Sequence, residues 1–233
     1  MQTRRAAPET PVRRGAAPAE DARLRLLHAG LRLFAQQGYA RSSTRELAEA
    51  ASVNVAAISY YFGDKAGLYR AVFFGPRGSS VEADLARFSG PGLTLDQVLR
   101  GFFEVFISPL REGDTMRLCM KLRFREMLEP TGLWEEEVAQ GIKPLHDQMA
   151  AVLARHLGLA RPDLELVRLV ACLAGLGVHL HVGHDIHRQL APGLNAGPQA
   201  LEHWADALVR YGHALLQAEA ARRGVVLQTT AAP

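Results

Sequence analysis

The sequence predicts an all-α fold in which a small N-terminal helical domain precedes a larger helical bundle. Apolar residues recur at spacings of three and four along most of the chain, which is typical of amphipathic helices. Hydrophobic residues make up 48% of the 233 residues, enough to form a buried core. The two parts differ in net charge. Residues 1–75 hold eleven Lys and Arg against six Asp and Glu, whereas the remaining residues hold sixteen Lys and Arg against eighteen Asp and Glu.

The first predicted helix follows a basic N-terminal arm. Residues 1–20 are rich in Arg, Pro and Ala and lack the continuous apolar core of a signal peptide. We therefore expect a disordered arm, with a first folded domain over residues 21–74. An apolar stripe of Leu27, Leu31 and Phe34 marks the first helix of this domain, and Gly38-Tyr39 ends it.

Two short helices joined by a tight turn are predicted next. Ser43 and Glu46 have the spacing of a capping box, which starts a helix at Thr44. Ser52-Val53-Asn54 supplies the turn, and Asn54 is a good N-cap for the second helix. Such a pair presents its second helix to the major groove of double-stranded DNA. The basic excess at this end of the chain agrees, because it attracts phosphates.

The outward side of the second short helix supplies the candidate contacts with DNA. Ile58 and Phe62 lie four residues apart and point inward, which leaves two adjacent tyrosines on the outside. Gly63-Asp64-Lys65 then ends the helix and leaves Lys65 free to reach a DNA phosphate. The alternative is that this helix pair forms part of an ordinary helical core. The supporting helix upstream, the cap pair and the loop lysine favour a DNA-binding motif. The predicted DNA-binding residues are Ser43, Thr44, Arg45, Val55, Ala56, Ala57, Ser59, Tyr60, Tyr61 and Lys65.

The segment from Leu26 to Phe73 resembles the DNA-binding domain of the TetR (tetracycline-repressor) family of bacterial regulators. STRELAEAASV is similar to the second helix and turn of that family, and NVAAISYYFGDKAGLY to its recognition helix and the start of helix four. NVAAISYYFG followed by GLYRAV is most similar to the CecR (YbiH-type) subgroup. Two positions depart from the family pattern: Ser52 replaces the usual turn glycine, and Tyr61 stands where histidine is common. The resemblance implies a ligand-responsive regulator, most often a repressor, that binds a palindromic operator as a homodimer.

Residues 75–224 are predicted to form the second, all-helical domain for ligand binding and dimerisation, and residues 225–233 a disordered tail. Pro76 interrupts what would otherwise be a continuous fourth helix, unlike the usual family connection. Residues 164–183 are apolar enough to suggest a membrane span, but Glu165, Arg168 and two histidines favour a bundle helix buried on most sides. The predicted helices cover Leu95–Ser108, Met116–Leu128, Trp134–Leu157 with Pro144 as a possible kink, 164–183, and Ala200–Arg222.

Aromatic and sulfur-containing side chains between residues 102 and 149 are candidates for the lining of an effector pocket. The effector would be a small apolar or aromatic molecule. The same side chains also suit a plain hydrophobic core, and no cofactor is predicted. The predicted ligand-binding residues are Phe103, Phe106, Met120, Phe124, Trp134 and His179.

A histidine-rich segment, GVHLHVGHDIHRQL, leaves several interpretations open. On one continuous helix, His181, His184 and Asp185 would share a face while His179 and His187 point elsewhere. The histidines suit a polar pocket lining, a surface or interface, or, as an alternative function, a metal sensor or metalloenzyme. No matching ligand cluster, catalytic triad or phosphate loop accompanies them, so we predict neither a metal site nor an enzyme.

Cysteine usage and small residues bear on compartment and assembly. Cys119 and Cys172 both lie in apolar helical contexts, which predicts buried thiols in a reducing compartment such as the cytoplasm. A second feature is the group of small residues in the apolar helix, which allows close helix packing. The packing would occur either between the subunits of a homodimer or inside one subunit. These small residues are Ala171, Ala174, Gly175 and Gly177.

Overall fold

The computed structural model describes residues 17–75 and 80–230. This part of the chain consists of helices and connecting loops and contains no strand, which confirms the predicted all-α class. The chain divides into two compact units at Gly75. The predictions made for residues 1–16, for Pro76 and for residues 231–233 lie outside the described residues.

The N-terminal unit is a small four-helix structure. Its core is closed by aromatic packing, with the ring centroids of Phe34 and Tyr69 4.9 Å apart in an edge-to-face arrangement. Leu31 and Phe34 are buried as predicted, whereas Leu27 is only half-buried and its neighbour Leu26 is fully buried. The helices are α1 (Ala17–Gln37), which begins inside the predicted arm, α2 (Thr44–Ala50), α3 (Ala56–Phe62) and α4 (Lys65–Phe74).

The C-terminal unit is a helical bundle built around its second helix. Its described elements are α5 (Val81–Ser89), α6 (Leu95–Arg111), α7 (Asp114–Leu128), α8 (Trp134–Glu137), a π-helical turn (Val138–Ile142), α9 (Lys143–His156), α10 (Leu164–Val182), α11 (His184–Leu190), a 3₁₀ turn (Pro192–Asn195) and α12 (Ala200–Arg223). Helix α6 packs against α5, α10 and α12, and α9 packs against α5 and α10. The core therefore lies between α6, α9, α10 and α12.

The predicted helix from Trp134 to Leu157 contains a change of helical type rather than a simple kink. The Lys143 N–H donates to the carbonyl of Val138, five residues earlier, which closes a π-helical turn. Pro144 follows at once and has no N–H to donate. The wide turn thus ends where the proline would interrupt regular α-helical hydrogen bonding.

Helix α10 is less buried than its composition predicts. By length and composition it could cross a membrane, yet only 28% of its most apolar stretch is buried. The prediction of burial on most sides is wrong for the single chain, because only one face packs against α6 and α9. Cys119 on α7 is buried as predicted, whereas Cys172 on α10 is exposed.

The segment after α12 is bound to the bundle rather than disordered as far as residue 230. The Gln228 N–H donates to the carbonyl of His156 (2.8 Å), and His156 Nδ1 donates to the carbonyl of Gln228 (2.7 Å). The Leu95 N–H donates to the carbonyl of Thr229 (3.1 Å). Val225 and Leu227 pack against the core and anchor this stretch, whereas Val226 between them is exposed.

Candidate DNA-binding interface and effector cavity

The first of the two short helices, α2, is held at both ends by hydrogen bonds. The Ser43 N–H donates to Glu46 Oε2 (2.8 Å) and the Glu46 N–H donates to Ser43 Oγ (3.1 Å), so the predicted capping box is present. These bonds from Ser43 lower the pKa of Glu46. At the other end, Arg25 Nε of α1 donates to the Ala51 carbonyl (3.0 Å). Helix α1 therefore fixes where α2 ends.

The turn between α2 and α3 requires an unusual backbone conformation. Ser52 has φ of +52°, and it is the one non-glycine residue with positive φ in residues 17–75 and 80–230. Left-handed backbone is costly for residues with a Cβ atom, which explains why glycine is usual in such turns. The Asn54 side chain then accepts a hydrogen bond from the Ala56 N–H (2.9 Å), as expected of an N-cap.

Helix α3 presents aromatic side chains to solvent. Ile58 is buried and anchors its inner face. Tyr60 is 81% exposed, and its ring packs edge-on against Tyr61 with centroids 4.8 Å apart. Phe62 is half-buried beneath the guanidinium of Arg23, 5.5 Å from the ring centroid. The outer face of α3 thus carries a preorganised aromatic pair, in which Tyr60 is exposed and Tyr61 is half-buried.

The junction between α3 and α4 positions Lys65. Asp64 caps α4 by accepting the Gly67 N–H (2.7 Å). A Cβ atom on Gly67 would lie 1.9 Å from the Phe62 carbonyl oxygen, so the close turn requires glycine there. Lys65 Nζ lies 4.2 Å from the centroid of the Tyr39 ring, a cation–π contact that holds the ammonium group at the end of α3.

The structure leaves every predicted DNA-binding side chain accessible. Ala57, Tyr61 and Lys65 are half-buried, and the others are exposed. The exposed group comprises Ser43, Thr44, Arg45, Val55, Ala56, Ser59 and Tyr60. The contribution of Tyr39, through its contact with Lys65, was missed, although its place directly after Gly38 marked it as a helix-end aromatic.

The C-terminal unit contains a cavity of about 300 Å³ with a mainly apolar wall. Phe106 reaches the cavity because α10 carries a glycine opposite it: a Cβ atom on Gly177 would lie 2.4 Å from the Phe106 ring. Gly177 thus packs inside the subunit, whereas Gly175 meets nothing within 4 Å. The aromatic and sulfur-containing lining residues are Phe102, Phe106, Phe124, Trp134, Met116, Met120 and Met127.

Four of the six predicted ligand-binding residues line this cavity. They are Phe106, Met120, Phe124 and Trp134. Phe103 instead packs in the core near Gly212, with no exposed surface, because its side chain faces α12 rather than the cavity. His179 lies outside the cavity as well, in a histidine pair described below.

Charged groups that the sequence analysis missed form part of the cavity wall. Arg123 of α7 forms an ion pair with Glu137 of α8, and their side chains are 16% and 6% exposed. His146 lies on the same wall, and burial lowers its pKa, which keeps it neutral at pH 7. The chain position of Arg123 and Glu137 gave no specific signal for this pair, because both helices carry several charged residues.

A buried carboxylate braces the loop that leads into the cavity wall. Glu126 is fully buried and accepts hydrogen bonds from the N–H groups of Thr131 (2.7 Å) and Leu133 (3.2 Å). These bonds fix the chain between α7 and α8. Trp134, the first residue of α8, is consequently held at the cavity.

Two histidines of this segment contact each other, and a third binds a backbone carbonyl. The helix breaks at Gly183, and His187 Nε2 comes to lie 2.8 Å from His179 Nε2. His187 also stacks on Trp204, with centroids 5.3 Å apart. His181 Nε2 donates to the Phe106 carbonyl (2.8 Å). Within residues 17–75 and 80–230, no three His, Cys, Asp or Glu side chains are grouped to hold a metal ion.

Comparison with known proteins agrees with both units. Residues 26–72 match the family described as "Bacterial regulatory proteins, tetR family", and residues 95–219 match the "HTH-type transcriptional dual regulator CecR, C-terminal domain". The CecR regulator of Shigella flexneri is 30% identical over 176 residues, which cover 71% of this chain and 78% of that protein.

Solved structures show the same fold. A TetR-like regulator from Rhodococcus sp. RHA1 superposes with a TM-score of 0.57 at 17% identity, covering 90% of this chain and 99% of its own. NalD of Pseudomonas aeruginosa gives 0.56 at 19% identity, covering 84% and 97%. The relatives are transcriptional regulators and not enzymes. The chain belongs to the TetR family of bacterial transcriptional regulators, with a C-terminal domain of the CecR type.

Proposed function

We propose that this regulator is a ligand-responsive repressor that acts in the bacterial cytoplasm. It binds a palindromic operator as a homodimer and is released by a small apolar or aromatic effector. The observation that carries the proposal is the presence of two separate features in one chain: a solvent-accessible tyrosine pair on α3 and a cavity of about 300 Å³ in the C-terminal unit.

On the DNA side, the side chains divide into phosphate contacts and base contacts. Tyr60, Tyr61, Thr44 and Lys65 carry hydroxyl or ammonium groups at the edges of the presented surface, which suits phosphate oxygens. The start of α3 is apolar and offers only contacts with thymine methyl groups. Arg45, exposed on α2, is therefore the candidate for a polar contact with a base, and guanine is the base that arginine reads best.

Assembly as a dimer is supported by an apolar face on the last long helices. Leu164, Val167 and Val182 of α10 are exposed in the single chain, as are Tyr211 and Leu215 of α12. Exposed apolar side chains on adjacent long helices favour association with a partner. A second copy of the same chain is the partner that a two-fold symmetric operator requires.

Release by an effector requires that the effector bind the conformation that does not bind DNA more tightly than the one that does. Coupling energies of this kind are typically about 1–3 kcal/mol. The cavity supplies the site, since its aromatic and methionine lining suits an apolar molecule. The name of the Shigella relative describes a dual regulator. A reporter-gene assay would therefore distinguish repression alone from repression combined with activation at a second promoter.

The test replaces two cavity residues and measures release from operator DNA. Phe106→Ala and Phe124→Ala enlarge the cavity and remove aromatic contacts, so an inducing compound should require at least about a tenfold higher concentration to release the double variant. Phe103→Leu, a conservative change outside the cavity, is the control and should respond as the wild type does. Release of the double variant at the wild-type concentration would place the effector site elsewhere.

A further inference from the structure

Two histidine rings meet where α10 gives way to α11. The Nε2 atoms of His179 and His187 are 2.8 Å apart, and the ring centroids are 4.7 Å apart at an interplanar angle of 66°. His187 is only 6% exposed, whereas His179 is exposed. Two nitrogens of the kind that binds transition metals therefore converge on one point, which can be reached from the side of His179.

The backbone of the helix break brings the two rings together. The Gly183 N–H donates to the carbonyl of His179 (2.8 Å), and the His187 N–H donates to the carbonyl of Gly183 (2.8 Å). A Cβ atom on Gly183 would lie 2.8 Å from Cε1 of His179, so glycine leaves the room that this ring occupies. The pair is thus built by a hydrogen-bonded turn within one chain.

The buried ring of the pair is supported from behind. His187 stacks on Trp204, with centroids 5.3 Å apart at an angle of 23°, and Trp204 Nε1 donates to Asn195 Oδ1 (3.0 Å). Contacts beyond the metal commonly orient the histidines that bind it. With His187 held in this way, adjustment to an ion falls mainly to the exposed His179.

The distance between the two nitrogens favours one coordination geometry. With metal–nitrogen bonds of about 2.0 Å, two ligands at 90° lie about 2.8 Å apart, and two ligands at the tetrahedral angle lie about 3.3 Å apart. The observed 2.8 Å corresponds to the first case. Square-planar or tetragonal coordination by nitrogen is typical of Ni²⁺ and Cu²⁺, whereas Zn²⁺ prefers the tetrahedron.

We propose that His179 and His187 bind one Ni²⁺ or Cu²⁺ ion per chain. Within residues 17–75 and 80–230 no group of three His, Cys, Asp or Glu side chains is placed to hold a metal, so water completes the coordination. In the metal-free pair one Nε2–H donates to the other Nε2. On binding, the donating ring carries its proton on Nδ1 instead, and both Nε2 lone pairs are given to the ion.

The inference is tested with the metal ions themselves. The untagged full-length chain is freed of metal with a chelator and dialysed to equilibrium against Cu²⁺, Ni²⁺ or Zn²⁺, and bound metal is measured by mass spectrometry. We expect one Cu²⁺ per chain with a Kd at or below about 10 µM, weaker binding of Ni²⁺, and the weakest binding of Zn²⁺. Zn²⁺ binding more tightly than Ni²⁺ would overturn the tetragonal site.

Two variants assign the ion to the pair. His179→Gln removes the exposed ligand, and His187→Phe removes the buried ligand but keeps a ring against Trp204. Each should raise the Kd for Cu²⁺ by at least about tenfold. His28→Ala, which removes an exposed histidine of α1, is the matched control and should bind Cu²⁺ as the wild type does. Equal binding by the wild type and His179→Gln would overturn the inference.

Electron paramagnetic resonance of the Cu²⁺ complex adds a readout that a purely structural role of the histidines would not change. The wild type should show hyperfine coupling to imidazole nitrogens, and a spectrum without nitrogen coupling would contradict the site. The inference is independent of the proposed function, because neither histidine lines the effector cavity or belongs to the N-terminal unit. Operator binding measured without metal therefore tests the proposed function alone.

Discussion

At the residue scale, Ser52 is the position where the chain departs most clearly from ideal backbone geometry. Its φ of +52° places a residue with a Cβ atom in the left-handed region. Because the left-handed conformation costs roughly 1–2 kcal/mol for such residues, Ser52→Gly should stabilise the turn by about 0.5–1 kcal/mol. Hydrogen exchange of amides in residues 44–62, measured by mass spectrometry, should slow by about two- to fivefold.

Ala50→Gly is the matched control for this prediction. Ala50 lies in α2 with an exposed side chain, where glycine lowers helix stability by about 1 kcal/mol. Exchange in the same segment should therefore become faster. If Ser52→Gly also accelerates exchange, the left-handed conformation at this turn is wrong.

Lys65 and Arg45 allow the phosphate and base contacts to be separated. Lys65→Ala should weaken binding to all DNA sequences alike and reduce the slope of log K against log salt by about one unit. Arg45→Ala should instead relax preference at one base pair per half-site, at a cost of about 1–3 kcal/mol. Competition binding over a range of salt concentrations measures both. A sequence-selective loss for Lys65→Ala, with an unchanged slope, would contradict its assignment to a phosphate.

Local signals predicted this part of the molecule well, for a physical reason. The caps at Ser43 and Asn54 depend on residues two or three positions away, so spacing alone reveals them. The contact between Lys65 and Tyr39 depends on the packing of α1 against α4, which spacing does not show. Contacts between elements were thus the part that the sequence left open.

At the scale of the elements, the end of α12 is tied to the start of α10 by charge. Arg223 bonds to the Asp163 carboxylate, the N-cap of α10, with distances of 2.6 and 2.8 Å. This bond holds the pKa of Asp163 well below its usual range. Hydrogen bonds from Arg222 and Arg223 also lower the pKa of Glu219, to about 2. Both carboxylates are therefore stabilised in their ionised form by folding.

These lowered pKa values predict how stability changes with pH. A carboxylate whose pKa is depressed by folding contributes stability above its unfolded pKa, and the contribution is lost as pH falls through the folded value. For Glu219 the loss runs from about pH 4.5 to about pH 2. Arg223→Ala should lower Tm at pH 7 and flatten the fall of Tm between pH 5 and pH 2.5. Arg210→Ala, an exposed change on α12, is the control; parallel Tm curves for wild type and Arg223→Ala would contradict the linkage.

The sequence predicted most helices but not every detail of how they are built. The start of α6 at residue 95, the end of α7 at residue 128 and the start of α12 at residue 200 agree with the prediction. Caps, loops and prolines mark these positions in the sequence. The contact of His179 with His187 was not predicted, since a continuous helix was assumed where Gly183 allows a break. The cavity residues were found in part, because periodicity identifies apolar faces and not which faces meet around a space.

At the scale of the whole molecule, the proposed dimer depends on the exposed face of α10. Gly175 lies on that face and has open space around it, so an arginine there does not disturb the single chain. Gly175→Arg places like charges near each other in a symmetric interface, which should raise the dimer Kd by at least about 100-fold. Ala86→Arg, at an exposed position of α5, is the control. Sedimentation equilibrium showing an unchanged dimer for Gly175→Arg would contradict the assignment of this face.

The measurement that tests the central claim most directly is footprinting of the full-length protein on the DNA that flanks its own gene. A TetR-type homodimer should protect two half-sites related by two-fold symmetry. Their centres should lie about 34–36 Å apart, or a multiple of one helical turn, and Arg45→Ala should relax the preference at one base pair in each half-site. Absence of protection, or a single unsymmetrical site that persists at saturating protein, would contradict the account of a dimeric operator-binding regulator.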